Sequence, residues 1–192
     1  MRALHLIRHG VTEANEKNVY CGHTDLPLSQ GGREQLAALR ADVDYPALEN
    51  YRVITSGMKR ANETLRILFG DVTHETEKRF MEMNFGRFEL HSYEELCQEA
   101  DYIAWCSGDN EKNCCPGGES GEGMKQRVLA ALYELLPLET DTCLVCHGGT
   151  IAIIMGALFP EEPRSRYQWQ PKNGRGYTVL FDGGEAVTWV EI

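Results

Sequence analysis

Two histidines occupy the same kind of place in this 192-residue chain, directly after a short apolar run and directly before glycine. His9 ends Leu6-Ile7-Arg8-His9-Gly10, and His147 follows Leu144-Val145-Cys146 and precedes Gly148-Gly149. Such runs read as strands. In a parallel α/β sheet the carboxyl ends of strands line the ligand crevice, and glycine there lets a ligand approach the backbone. A third run, residues 53–56, leads through Gly57-Met58-Lys59 to Arg60 and sets that arginine on the same rim as Arg8. Two guanidinium groups and two imidazoles on one rim make an anion site, because a guanidinium fork matches two phosphate oxygens at once. Each residue alone has a plainer reading. A histidine at a strand end caps or faces solvent, Arg60 is a charge on a helix face, and Arg8 pairs with one of 29 carboxylates. Joint placement after three separate strands is what favours the site.

The elements that must position these residues alternate. Residues 3–7, 52–56 and 142–146 read as strands, and 78–83 has weaker strand or extended character. Helical signals start after Ser29, where two glycines blur the boundary, and run over 60–69 (stopped by Gly70), 124–136 and 150–158. Residues 15–29 read as loop. Residues 177–181 and 186–192 form a terminal hairpin around Asp182-Gly183-Gly184. The middle is less regular: 92–105 reads as helix with Tyr93, Leu96, Ala100 and Ile103 near one face, and the glycine-rich 107–123 as a mobile loop. Strands alternating with helices predict an α/β fold, a three-layer α/β/α sandwich around a mostly parallel sheet. The expected organisation is one domain, 1–192, with a small insertion or cap at about 85–123.

Composition narrows the function. With 42% hydrophobic and 25% charged residues, the chain has the balance of a globular protein rather than a disordered one. A chain of this length buries roughly 70% of its unfolded surface, so no disulfide or metal staple is required. The net charge of −10 argues against a generic polyanion binder but not against a small anionic substrate. No apolar run approaches the roughly 20 residues that span a bilayer, and the N-terminal apolar stretch is too short for a signal peptide. A cytoplasmic protein is therefore expected, with a small phosphorylated metabolite as partner and neither nucleic acid nor membrane. Oligomeric state is open, a homodimer included. Seven cysteines is an odd number, and reduced thiols are the default. Cys143 and Cys146 have metal-pair spacing, but residues three apart on a strand point to opposite faces, so small buried side chains explain them better.

Five blocks in order then resemble the histidine phosphatase superfamily, the phosphoglycerate mutase-like proteins. They are Leu6-Ile7-Arg8-His9-Gly10-Val11-Thr12-Glu13-Ala14-Asn15, then Gly22-His23-Thr24-Asp25-Leu26-Pro27-Leu28-Ser29. Next come Thr55-Ser56-Gly57-Met58-Lys59-Arg60-Ala61-Asn62-Glu63-Thr64 and Glu82-Met83-Asn84-Phe85-Gly86-Arg87-Phe88-Glu89. Val145-Cys146-His147-Gly148-Gly149 completes the set. Gly57 stands where that family usually has proline, and Leu90 where it often has glycine.

The resemblance implies a phosphoglycerate mutase-like fold and a mechanism without metal or cofactor. His9 would be the nucleophile that takes up the phosphoryl group. Arg8, Arg60 and His147 would hold its oxygens, with Asn15, Thr24 and Gly148 completing the phosphate-binding set. Glu82 would protonate the leaving alkoxide and then activate water. Spacing alone reads Glu82 as an exposed strand carboxylate, so its role comes from the resemblance. Mutases of the family carry a longer insertion after the Glu82 block than this chain has room for, which points to its phosphatases. Phe85-Gly86-Arg87-Phe88-Glu89, Leu96-Cys97-Gln98-Glu99 and Tyr102-Ile103-Ala104-Trp105-Cys106 resemble the family's alpha-ribazole phosphatases. That implies alpha-ribazole 5′-phosphate as substrate, with Trp105, Tyr93 and Tyr102 either stacking on its base or serving as core. A broad-specificity phosphatase of sugar phosphates, a mutase-like enzyme and an inactive phosphate-binding module remain the alternatives.

Overall fold

The computed structural model describes every residue except Gly108 and Asn110. Six strands form one sheet: β1 (Arg2–Arg8), β2 (Arg52–Thr55), β3 (Glu75–Thr76), β4 (Thr142–Cys146), β5 (Gly176–Asp182) and β6 (Glu185–Glu191), in the order β3-β2-β4-β1-β5-β6. β1 and β2 flank β4 in parallel and β3 pairs with β2 in parallel, while β5 and β6 add an antiparallel edge beside β1. The sheet is mixed and mostly parallel. α1 (Glu13–Glu16), α2 (Gln30–Asp42), α3 (Lys59–Phe69), α4 (Tyr93–Leu96), α5 (Ala100–Cys106), α6 (Gly121–Leu135) and α7 (Gly148–Leu158) make up the helices. None of the described helices is long and apolar enough to cross a membrane.

Alternation along the strands builds the layers. Ile7, Val53, Cys143 and Val145 pack with Leu36 of α2 and with Ala61, Leu65 and Leu68 of α3. Leu4, Leu6, Ile54, Leu144 and Cys146 face the other way, toward Met124, Val128 and Leu132 of α6 and Ile151 and Met155 of α7. A strand reverses its side chain at each residue, so one apolar sequence feeds two cores. Cys143 and Cys146 accordingly lie in different cores, and all seven cysteines are free thiols.

Three expectations need correction. Residues 78–83 hold no strand: Lys78–Phe80 is a single 3-10 turn capped by the Glu77 carboxylate, and the nearby strand is the two-residue β3. Phe80 is drawn into the core, which curls the chain where an extended run was expected. Residues 92–105 are two helices rather than one. The Ser92–Glu95 capping box starts α4, and extended backbone at Glu99 (ψ 129°) separates it from α5. Leu96 and Tyr102 turn inward while Tyr93 and Ile103 are exposed. The helix expected at 124–136 begins earlier, at Gly121, because the Ser120 hydroxyl accepts the Gly123 N–H as its N-cap. Residues 15–29 contain the end of α1 but otherwise match the loop reading. The loop expected over 107–123 includes the two undescribed positions. Part of its described remainder is pinned, Gly118 N–H donating to Cys115 O (2.8 Å) and Glu119 N–H to Asn84 O (3.0 Å).

Gly57 links β2 to α3 at φ +83°, and its N–H donates to Thr55 Oγ1 at 3.1 Å. A proline ring holds φ near −65° and removes that N–H. Gly57→Pro, which would restore the residue usual in the resembled family, is therefore expected to destabilise the chain by roughly 1–3 kcal/mol in urea unfolding. A midpoint equal to or above that of the parent would refute this account of the turn.

Candidate active site

Parallel register brings the strand ends level. Arg8 lies opposite Cys146, and Thr55 opposite Val145, so His9, His147 and Ser56 follow their strands side by side. The His9 N–H donates to Cys146 O (3.0 Å), carrying the pairing one residue past β1. His9 and His147 are buried, their ring centroids 5.1 Å apart at 63°.

The His9 ring has a defined proton position. Its Nδ1 lies 2.6 Å from the Gly10 carbonyl oxygen, which only accepts, so Nδ1 carries the hydrogen and Nε2 keeps its lone pair. Gly10 is itself fixed: its N–H donates to Thr64 Oγ1 (2.9 Å), and a Cβ there would stand 2.5 Å from Leu36 Cδ1. Asn173 Nδ2 donates to His9 O at 2.9 Å.

Arg60, in the first turn of α3, is 1% exposed. Its Nη1 donates to Thr24 O (3.0 Å) and its Nη2 to Gly22 O (2.6 Å). The same loop is clasped from the other side by Glu89, which accepts the N–H groups of Gly22, His23 and Thr24. Burial pushes the Glu89 carboxyl up, but these donors bring it below its usual range. Thr24 thus meets Arg60 through its main chain. Arg8 Nη1 donates to Pro171 O (2.8 Å), while its buried Nε has no protein partner. His147 Nε2 lies 2.8 Å from Ser56 Oγ, and its buried Nδ1 is likewise unpartnered.

Glu82 is a half-buried carboxylate outside any strand, which corrects its reading from spacing as an exposed strand residue. Its Oε2 accepts the Gly149 N–H in the first turn of α7 (2.8 Å), and its Oε1 accepts the Met83 N–H (2.9 Å). Gly148 and Gly149 leave the space this needs, for a Cβ would come 3.2 Å from Arg8 Cζ at the first and 2.3 Å from Glu82 Oε1 at the second. Asn15 Oδ1 accepts from the N–H and hydroxyl of Thr12 in the α1 capping box, so the amide nitrogen is the end left for a ligand.

Beside Glu82 and Gly149 opens a cleft of about 320 Å³ walled by Tyr20, Phe85, Trp105 and Tyr167. Tyr102, packed 5.7 Å from Trp105, belongs to the core, and the exposed Tyr93 lies outside this cleft. Among the described residues, no three His, Cys, Asp or Glu side chains cluster as metal ligands.

The structure brings Arg8, His9, Arg60 and His147 together and lays Glu82 against the adjoining helix turn. Sequence reasoning missed Ser56, Glu89 and Asn173. Ser56 and Glu89 had a signal, since both lie in the quoted blocks. Asn173 had none, being an asparagine in a polar loop.

Chemically the site is a cation pair around two neutral rings. Burial, then Arg60, hold both imidazoles well below the ordinary value of 6.5, with Arg8 adding to the effect. Two cations and an available imidazole lone pair at one rim of an α/β sandwich suit the handling of a phosphoryl group. The chain matches the sequence profile of the histidine phosphatase superfamily (branch 1) over residues 4–191 and belongs to that family. It is 28% identical over 178 residues to the adenosylcobalamin/alpha-ribazole phosphatase of Salmonella typhimurium, covering 89% of this chain and 86% of that one. It is 31% identical over 155 residues to the 6-phosphofructo-2-kinase/fructose-2,6-bisphosphatase of Gallus gallus, covering 80% of this chain and 32% of that protein. The crystal structure of a putative alpha-ribazole-5′-P phosphatase from Escherichia coli K-12 superimposes with a TM-score of 0.85 at 26% identity, covering 97% and 93% of the two chains.

The depressed imidazoles set a pH dependence. Between their folded values and 6.5 the unfolded chain binds more protons than the folded one, so stability rises with pH there and is lost as pH falls below about 6.5. Nitrogen-15 NMR is expected to find the His9 and His147 rings neutral at pH 6. A midpoint at or above 6.5 for His9 would contradict the desolvated site.

Proposed function

We propose that this phosphatase hydrolyses phosphomonoesters through a phosphohistidine at His9, and that its substrate is alpha-ribazole 5′-phosphate. The observation that carries the mechanism is the short contact from His9 Nδ1 to the Gly10 carbonyl, which leaves Nε2 as the free nucleophile. That lone pair attacks phosphorus, and the bond from phosphorus to the ester oxygen breaks. Glu82 gives its proton to the departing alkoxide, then takes one from a water whose oxygen attacks phosphorus; the bond from phosphorus to Nε2 breaks, its electron pair returns to the ring, and inorganic phosphate is released. Arg8 and Arg60 balance the charge on the transferring group. A Ser56 hydroxyl donating to His147 Nε2 leaves the ring proton on Nδ1, where it is free for a phosphoryl oxygen. Asn15 supplies a neutral amide donor. The cations are protein side chains, so the mechanism routes no step through a metal.

The substrate reading is supported by the name of the Salmonella relative and by the aromatic cleft beside Glu82, whose flat walls suit a heteroaromatic leaving group. Phe85, Trp105 and Gly121 bring the 85–123 segment to that cleft, where it acts as a cap. The fructose-2,6-bisphosphatase relative favours a second reading, a broader phosphatase of sugar phosphates.

Release of inorganic phosphate across a phosphomonoester panel tests both. A kcat/KM for alpha-ribazole phosphate about 100-fold above sugar phosphates and p-nitrophenyl phosphate, about 2.7 kcal/mol of discrimination, is expected. A flat profile would replace it with the broad-specificity reading. His9→Ala should abolish turnover and acid-labile phosphate incorporation while the circular dichroism spectrum is retained, and EDTA should leave the rate unchanged. Retained turnover in His9→Ala would overturn the nucleophile assignment.

A further inference from the structure

The segment that carries Glu82 has no strand to hold it: the 3-10 turn ends at Phe80, and Met81 is extended (φ −64°, ψ 157°). What holds it is Arg127 of α6. Its Nη1 donates to the carbonyls of Arg79 (2.8 Å) and Met81 (2.7 Å), and its Nη2 to that of Glu82 itself (2.9 Å). The guanidinium is aimed by Glu119, which accepts from Nη2 (2.6 Å) and Nε (3.0 Å). Glu119 Oε1 also accepts the Asn84 N–H (2.8 Å), so the pair grips the chain on both sides of Glu82. Both side chains are about one-fifth exposed, where such charge-assisted bonds keep much of their strength. Thr150 reaches the carbonyls of Phe80 and Met81 at 3.2 Å from α7, but not that of Glu82.

We propose that Arg127, aimed by Glu119, is the positioning residue that holds the Glu82 carboxylate in place for proton transfer. Arg127 touches the main chain of Glu82 and acts through it. The proposal rests on reading Glu82 as the proton donor. A displaced donor slows departure of a strongly basic alkoxide far more than departure of nitrophenolate, which leaves without a proton. The ratio of kcat/KM for an alkyl phosphate to kcat/KM for p-nitrophenyl phosphate isolates this effect from general damage to the phosphate site, because kcat/KM covers steps through leaving-group departure.

With alpha-ribazole 5′-phosphate or ribose 5-phosphate as the alkyl substrate, Arg127→Lys is expected to lower that ratio about tenfold or more, and Glu82→Gln to lower it further. Combining Arg127→Lys with Glu82→Gln should bring no additional fall, since the two act through one group. A ratio unmoved by Arg127→Lys, or an equal extra fall in the double variant, overturns the proposal. Glu119→Gln keeps the shape and an acceptor for Asn84, and it carries the same test if Arg127→Lys does not fold. If Glu82→Gln leaves the ratio unchanged, or the parent hydrolyses neither alkyl phosphate, the proton-donor reading fails and this proposal with it. If Glu82→Gln moves the ratio and neither Arg127→Lys nor Glu119→Gln does, the donor reading stands and this proposal alone fails.

Discussion

The parallel pairing of β1 and β2 with β4 is the constraint on which the site depends. Because Arg8 is level with Cys146 and Thr55 with Val145, three chain segments leave the sheet within one residue of the same height. A slip of a single residue would exchange the two faces of a strand and send Ile7 and Val53 to the wrong core. The same pairing that buries the strands therefore sets His9, His147 and Ser56 side by side. Packing and placement of the site are one constraint, met by the alternation of residues that serve each core.

Within that frame charge and burial act together. Arg60 is enclosed by main-chain carbonyls of the loop at Gly22 and Thr24, and that loop is drawn in by Glu89 from behind. A buried guanidinium needs such acceptors, because its desolvation is otherwise expensive. The result is a fixed cation beside two imidazoles that burial first, and then this cation, keep neutral. The pocket thus holds positive charge suited to an anion beside an unprotonated imidazole nitrogen.

Much of this was legible in sequence, and the reason is local. An apolar run ending in Arg-His-Gly or Cys-His-Gly declares a strand and the chemistry at its end within a few residues, and Gly70 stops α3 at φ +81° as its type suggests. The hairpin around Gly183 and Gly184 is equally local, with both glycines at positive φ. Glu82 was opaque from its own neighbourhood, because its position is made by partners 67 and 45 residues away, Gly149 and Arg127. The middle segment was misread for the same reason. The helical periodicity across 92–105 was real but interrupted, and Tyr102 was drawn inward by ring contacts with Tyr20 and Phe88 that no local pattern announces.

This division has a consequence for how such a fold changes its substrate. Arg8, His9, Arg60 and His147, the groups proposed to handle the phosphoryl group, are anchored at strand ends and helix starts. The cleft proposed for the leaving group is instead walled by Tyr20, Phe85, Trp105 and Tyr167, carried by loops and the short α5. Leu90 marks the border: it is half-exposed yet held at φ +62° while its N–H donates to Tyr20 O at 2.7 Å. A side chain in that conformation costs about 1 kcal/mol or more. The cost is borne directly after the Glu89 clasp, where that hydrogen bond ties the chain to Tyr20, one wall of the aromatic cleft. In the proposed mechanism this floor works on the phosphoryl group that every phosphomonoester presents, while the cleft beside it is free to differ between relatives.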